Sequence, residues 1–250
     1  MNPEEAVLAR EWFYPFELPS GRVTPTYNDG QLDPVHATRL RMMNQMLDWT
    51  WGRELDGLRA VDLGCHQGFF AASLAQRGCR EVLGIDARQS LVDDSNLMAS
   101  ALGLDNLRAV QSDIHAVDAE RLGRFDIVLM FGLLYHLEDP VGALRIAHAL
   151  TGRLCLIETQ VAPHMAGPVD FGHHTCVKDM KGCFGIVDET DATHVDEAGT
   201  RGICLLPSTP ALLWILGKIG FKRVGLVKPP PDAYEQLSTG KRVMVAAFRD

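Results

Sequence analysis

The sequence of 250 residues predicts an α/β fold, a parallel sheet covered on both faces. Three observations predict it. From Leu58 to Phe131, apolar runs of strand length alternate with stretches whose apolar residues recur at helical spacing. The first run passes through a glycine-bearing turn straight into a helix. Carboxylates mark the ends of three successive runs, the edge at which ligands gather in open α/β sheets.

The elements follow in order. Residues 1–55 stand outside the alternation, with an aromatic opening (Trp12, Phe13, Tyr14, Phe16) and a helical stretch at 35–49. In that helix Arg41, Met42, Met43 and Met46 divide into a polar and an apolar face, and the apolar face is expected in the core. LRAVDL (58–63), EVLGID (81–86), LRAVQS (107–112) and FDIVLMF (125–131) read as four buried strands. FFAASLAQRG (69–78) and SLVDDSNLMASALGL (90–104) read as crossover helices. A helix over 140–150 takes its start from Pro140 and leads to a fifth strand, LCLIETQ, at 154–160. Residues 161–205 lack periodic pattern, and so long a loop in a compact domain is usually a lid, a binding loop or disorder. PSTPALLWILGKIG (207–220) has Pro and Ser/Thr at its entry and Gly220 at its exit, the punctuation of a helix. FKRVGLV (221–227) and KRVMVAAF (241–248) close the chain as two strands around a turn at Pro229–Asp232.

Charge and cysteine usage narrow the function classes. With 24 Lys+Arg against 32 Asp+Glu the net charge is −8, which argues against broad sequence-independent nucleic-acid binding. Residues 161–205 hold 3 basic and 7 acidic side chains, so half of the excess lies there. The stretch 218–242 holds six basic against two acidic residues and reads as a solvated face. Six cysteines in a chain of this length fit free thiols in a reducing compartment. The N-terminus is acidic, and no stretch approaches the roughly 18 apolar residues that span a bilayer. The expectation is a cytoplasmic protein without a membrane span.

The strongest local signal is VDLGCHQGFF, Val61 to Phe70. Such a strand–glycine–helix junction serves dinucleotides, phosphates or a methyl donor, because the backbone can approach a ligand and the helix N-terminus presents free N–H groups. No Lys-Ser/Thr follows, so a P-loop is disfavoured, and GCHQG lacks the G-x-G-x-x-G spacing. Asp86 ends the second strand 22 residues after Gly64, where a carboxylate can accept both hydroxyls of a ribose. Asp113 follows the third strand, where it or a neighbouring amide can meet an exocyclic amine. With Asp62 these acids describe an adenosine site. As bland alternatives, Asp86 is a surface acid and Asp113 an N-cap.

On these residues the chain resembles the class I S-adenosylmethionine-dependent methyltransferases, over about 56–250. The resemblance implies a Rossmann-like, doubly wound sheet of seven strands. It assigns Asp62, Gly64, Cys65, His66 and Gly68 to the methionine end of the cofactor, Asp86 and Ala87 to the ribose, Asp113 and Ile114 to the adenine, and Phe131 to the strand facing the reactive methyl. His66 departs from the family, where many members have Gly, and narrows the pocket at the amino-acid end. WFYPFELPSGRVTP (12–25), GLLYH (132–136) and the IETQ strand are similar to the branch containing the wobble-uridine tRNA carboxymethyltransferases and related small-molecule methyltransferases. That likeness implies ligand contacts from the N-terminal segment, from Tyr135 and from Arg242. Where the carboxymethyl enzymes have a basic residue after the tryptophan, this chain reads Phe-Tyr-Pro, so the expected donor is plain S-adenosylmethionine.

Several roles stay open on sequence grounds. His136 can act as a general base on an acceptor hydroxyl or thiol, or cap the loop into the helix at Asp139-Pro140. Tyr135 is a pocket wall or donor, and Glu158 ends the fifth strand as a further acid within reach. Trp12 and Tyr14 cover the acceptor or pack on the sheet edge. His173, His174, Cys176 and Cys183 lack the usual zinc spacing, and His173 and His174 are expected to line the acceptor pocket, with no metal. The expected organisation is an N-terminal cap (1–55) and a methyltransferase domain (56–250) with a lid-like insertion (161–205). The expected reaction is methyl transfer to an O, N or S atom of a small molecule. The rival readings are modification of a tRNA wobble uridine and a catalytically silent cofactor-binding partner or sensor. The oligomeric state is not legible.

Overall fold

The computed structural model describes residues 2–165, 167–169, 178–189 and 202–250. In chain order its helices are α1 (Pro3–Leu8), α2 (Asp33–Trp51), α3 (Phe69–Gln76), α4 (Gln89–Ala101), α5 (Ala119–Leu122), α6 (Pro140–Leu150), α7 (Thr209–Ile219) and α8 (Glu235–Ser238). Its strands are β1 (Arg59–Leu63), β2 (Glu81–Asp86), β3 (Leu107–Gln111), β4 (Phe125–Phe131), β5 (Thr151–Gln160), β6 (Gly167–Val169), β7 (Lys178–Met180), β8 (Phe184–Asp188), β9 (Ile203–Pro207), β10 (Arg223–Leu226) and β11 (Arg242–Phe248).

Seven strands form the central sheet in the order β10-β11-β5-β4-β1-β2-β3. β1 to β5 run parallel, and β11 is antiparallel to both of its neighbours. The order reverses at β1 and β4, so the chain leaves β1 toward one side and β4 toward the other. That switch point opens a crevice at the carboxyl edge. Register aligns the strand ends there, with Leu63 opposite Ile85 and Phe131 opposite Glu158.

Each face of the sheet carries its own apolar layer. Ala60, Val82, Ile127 and Leu156 face one way, against α2, α3 and α4. Val61, Leu83, Val128 and Ile157 face the other, against α6 and α7. This is the alternation a strand imposes, and it explains why the central strands read as unbroken apolar runs. The N-terminal residues Val7, Trp12, Phe16 and Leu18 join the first layer. Trp12 is fully buried and its indole N–H donates to the Val7 carbonyl at 2.9 Å.

Local chemistry sets the helix boundaries. Asp139 caps α6 by accepting from the Gly142 amide at 2.8 Å, and Pro140 supplies the first turn, as read from sequence. β5 starts at Thr151, three residues before the apolar run that marked it, because α6 passes into it without a loop. The Thr151 hydroxyl donates back to Ala147 and ends the helix. β10 is shorter than its apolar run, with Phe221 turned into the second layer and Val227 into the first.

Within 161–205 the described residues form two antiparallel pairs, β6 with β7 and β8 with β9. Sequence periodicity missed them because the hairpin β8–β9 leaves Phe184, Ile186, Val187 and Ile203 exposed. The Leu205 amide donates to the Leu137 carbonyl at 3.0 Å, which lays β9 along the turn that follows β4. Among the described residues no helix is long and apolar enough to cross a membrane.

Candidate active site

A cavity of about 790 Å³ opens at the carboxyl edge of the sheet. It runs from Asp86, Asp113 and Ile114 past Gly64, His66 and Phe131 to Tyr135, His136 and Arg242. Small-molecule sites fall in this size range and at this position in such sheets.

The first end is built by the loops after β1, β2 and β3. Gly64 holds φ +74° and lets its amide reach the Ile85 carbonyl at 2.8 Å, with the Leu133 side chain packed where a Cβ would be. His66 also adopts a positive φ, +50°, so that its amide donates to Asp86 Oδ2 at 2.9 Å. Asp86 Oδ1 accepts from the Arg88 amide at 3.1 Å and is also paired to the Arg88 guanidinium. Asp86 therefore stands as a fixed acceptor at the cavity wall. Asp113 accepts from the His115 amide at 2.8 Å and caps the following turn, while it and Ile114 line the cavity. Both the cap and the ligand-facing reading of Asp113 thus fit its position.

Three of the residues assigned to the methionine end sit behind the wall. Asp62 is buried, with Oδ2 unpartnered among the described residues, and burial lifts its carboxyl to about 7. The Cys65 thiol is buried and pushed well above its ordinary value by burial and by Asp62 and Asp86. Gly68, at φ +83°, brings α3 against Ser95 of α4. Ala87 lines the cavity beside Asp86.

The second end is polar and aromatic. Arg39 Nη2 pairs with Glu158 Oε2 at 2.8 Å, and Arg242 grips the same carboxylate through Nε at 2.6 Å and Nη2 at 3.2 Å. Burial alone would raise the Glu158 carboxyl, but Arg242 and Arg39 outweigh it and hold it low. Glu158, expected from sequence as a further acid within reach of the pocket, is thus a fully buried, ionised anchor for two arginines. Arg242 Nη2 also donates to the Tyr135 hydroxyl at 3.1 Å. Both arginines line the cavity, so two guanidiniums face it over one carboxylate.

Burial and Arg39 depress the His36 imidazole to about 3, and burial and Arg88 do the same for His66. Both are neutral at pH 7. They sit among Phe13, Tyr14 and Phe69, with the His36 ring 4.5 Å from that of Tyr14 and the His66 ring 5.0 Å from that of Phe13. The Phe13 amide donates to Gln67 Oε1 at 2.8 Å, which ties the N-terminal segment to the β1–α3 loop. His136 Nδ1 lies 2.6 Å from Glu189 Oε2, beyond the end of β8.

Of the residues singled out in the sequence, the structure gathers Tyr14, Gly64, His66, Asp86, Ala87, Asp113, Ile114, Phe131, Tyr135, His136 and Arg242 around one cavity. Trp12 belongs to the core, and His173, His174 and Cys176 lie outside the described residues. Sequence reasoning missed His36, Arg39 and Glu189. His36 and Arg39 stand three residues apart in α2, on the face that also buries Met43, and polar residues within an apolar stripe were the available signal. Glu189 carried none.

Comparison with known proteins agrees with this architecture. Residues 54–181, just over half of the chain, match the family model described as "Methyltransferase domain". A ubiquinone biosynthesis O-methyltransferase of Vibrio parahaemolyticus is 31% identical over 122 residues, 49% of this chain and 50% of that protein. One from Leptothrix cholodnii is 27% identical over 143 residues, 57% and 54% of the two chains. The chain spans about half the length of these curated relatives. The N-terminal domain of EvdMO1 with S-adenosylhomocysteine bound superposes with TM-score 0.66 at 21% identity, covering 94% of this chain and 90% of that one. Magnesium protoporphyrin IX methyltransferase from Synechocystis, also with S-adenosylhomocysteine bound, gives 0.56 at 17%, covering 87% and 86%. At these identities the solved structures speak for the fold, and the family match for kinship: the chain belongs to the methyltransferase-domain family.

Proposed function

We propose that the protein transfers a methyl group from S-adenosylmethionine to a hydroxyl oxygen of a small molecule. The observation that carries this reading is one continuous cavity that joins Asp86, Asp113 and Ile114 at one end to Tyr135 and His136 at the other. The O-methyltransferase relatives favour oxygen over nitrogen or sulfur.

The residues present fit the cofactor. Asp86 would accept the ribose hydroxyls, Asp113, Ile114 and their amides would meet the adenine, and the Gly64–His66 turn would face the methionine end. His66, which lines that end, has a buried Nδ1 without a partner among the described residues, as expected where a polar ligand completes the site. When bound, S-adenosylmethionine supplies a methyl on a sulfonium, a leaving group good enough for direct in-line displacement.

The chain's own contribution is positioning and proton removal. Phe131 and Leu133 form an apolar wall, and Tyr135 and the arginine-held floor orient the acceptor. Proximity and alignment of this kind contribute on the order of 7–11 kcal/mol. His136 removes the hydroxyl proton as the oxygen attacks. The net acidity of 161–205 speaks against a tRNA wobble-uridine substrate, and the His136–Glu189 pair against a silent cofactor-binding module. The five free thiols among the described residues favour the cytoplasm.

Incubation with methyl-labelled S-adenosylmethionine and a panel of phenols, catechols and sugars, alongside total tRNA, tests the reading. Label in a small acceptor supports it. Label in tRNA alone, or in nothing, overturns it.

A further inference from the structure

His136 sits on the single turn Leu134–His136 that follows β4, and its Nδ1 lies 2.6 Å from Glu189 Oε2. Both side chains are nearly buried, His136 at 14% and Glu189 at 4% exposure. Glu189 follows β8, and three further contacts fix it there. Its amide donates to the Gly202 carbonyl at 2.9 Å, the Cys204 thiol of β9 donates to Oε2 at 3.2 Å, and β9 is bonded to the His136 turn through Leu205 and Leu137. Burial and Glu189 push that thiol up to about 12, so it stays a donor at any working pH.

We infer that Glu189 is the positioning residue of the active site: it holds His136 in the tautomer with the proton on Nδ1, so that Nε2 is the nitrogen that takes a proton from the acceptor. This deepens the proposed function and rests on it. The carboxylate fixes the ring through a charge-assisted hydrogen bond and stabilises the imidazolium as it forms. In the step it supports, the acceptor O–H bond breaks and its proton goes to Nε2. The oxygen pair forms the new C–O bond, and the sulfonium C–S pair stays on sulfur as a neutral thioether. No further reactant is needed. The β8–β9 pair thereby carries the residue that positions His136.

Other titratable groups face the same ring. Tyr135 neighbours it on the turn, Glu138 and Asp139 line the cavity just beyond, and His66 lies across it. Arg242 approaches through the Tyr135 hydroxyl, and Cys204 through Glu189.

Two variants separate orientation from charge. Glu189→Gln keeps an acceptor for Nδ1–H and removes the charge, while Glu189→Ala removes both. Nitrogen NMR of the whole protein with labelled histidine, without cofactor, reads the tautomer directly. Wild type and Glu189→Gln are expected to show His136 protonated at Nδ1, and Glu189→Ala to lose that preference. With catechol as the test acceptor, Glu189→Gln is expected to lower kcat at least tenfold at unchanged KM for S-adenosylmethionine. An unchanged tautomer in Glu189→Ala overturns the inference, as does an unchanged kcat in Glu189→Gln. If wild type methylates nothing in the acceptor panel, the proposed function fails instead, and the NMR comparison still decides the assignment of Glu189.

Discussion

Arg39 Nη2 lies 2.8 Å from Glu158 Oε2 at the base of the cavity, joining helix α2 to the carboxyl end of β5. Because Arg242 grips the same carboxylate from β11, two cations share one buried anion. Glu158→Gln would leave both guanidiniums buried without a counter-charge. The expected loss is roughly 3–5 kcal/mol in urea unfolding. Arg39→Met leaves the Glu158–Arg242 pair intact and should cost clearly less. The reverse ranking would contradict the arrangement.

Gly68 is expected to matter for helix packing and little for the ligand. Its positive φ disfavours any Cβ by about 1–2 kcal/mol, and an added methyl would meet the Ser95 hydroxyl of α4. Gly68→Ala should therefore lower the urea midpoint, and adding Ser95→Ala should restore part of it. No recovery in the double variant would remove the Ser95 contact from the explanation.

Stability should fall as the pH drops from 7 to 4. Burial holds the pKa of His36 and of His66 near 3, whereas unfolded imidazoles titrate near 6.5. Their contribution is present above about pH 6.5 and is lost as the pH falls toward 3, because the unfolded chain takes up protons that the folded chain refuses. Asp62 acts in the opposite sense. Its folded value near 7 lies above the unfolded carboxyl, so its contribution is present below about pH 3.9 and lost as pH rises through 7. The imidazoles outweigh the one carboxyl, so stability falls with pH across that range, and Asp62→Asn should make the fall steeper. Urea midpoints at several pH values between 4 and 7 check this, and an equal or shallower slope in the variant would count against the buried Asp62.

The sheet was legible because its central strands are buried on both faces and its crossover helices are amphipathic, so composition and period carry the same message. Asp86 and Gly64 were legible because a tight turn and a strand-end carboxylate have fixed spacing. The separation of 53 positions from His136 to Glu189 follows no such rule, and that pairing exists only once β9 lies along the turn after β4. Glu158 was read as an available acid because sequence does not reveal its partners, one from α2 and one from β11. Trp12 was legible as important, but its indole serves α1 and the core.

In the proposed function the cavity at the carboxyl edge holds S-adenosylmethionine with Asp86 at the ribose. Calorimetric titration with S-adenosylhomocysteine tests it most directly, comparing wild type with Asp86→Ala and using thermal unfolding to show that both are folded. One site per chain is expected in the wild type and an affinity at least tenfold weaker in the variant, the scale of one or more charge-assisted hydrogen bonds. A folded wild type that binds no S-adenosylhomocysteine, or a folded variant that binds it equally well, would contradict it.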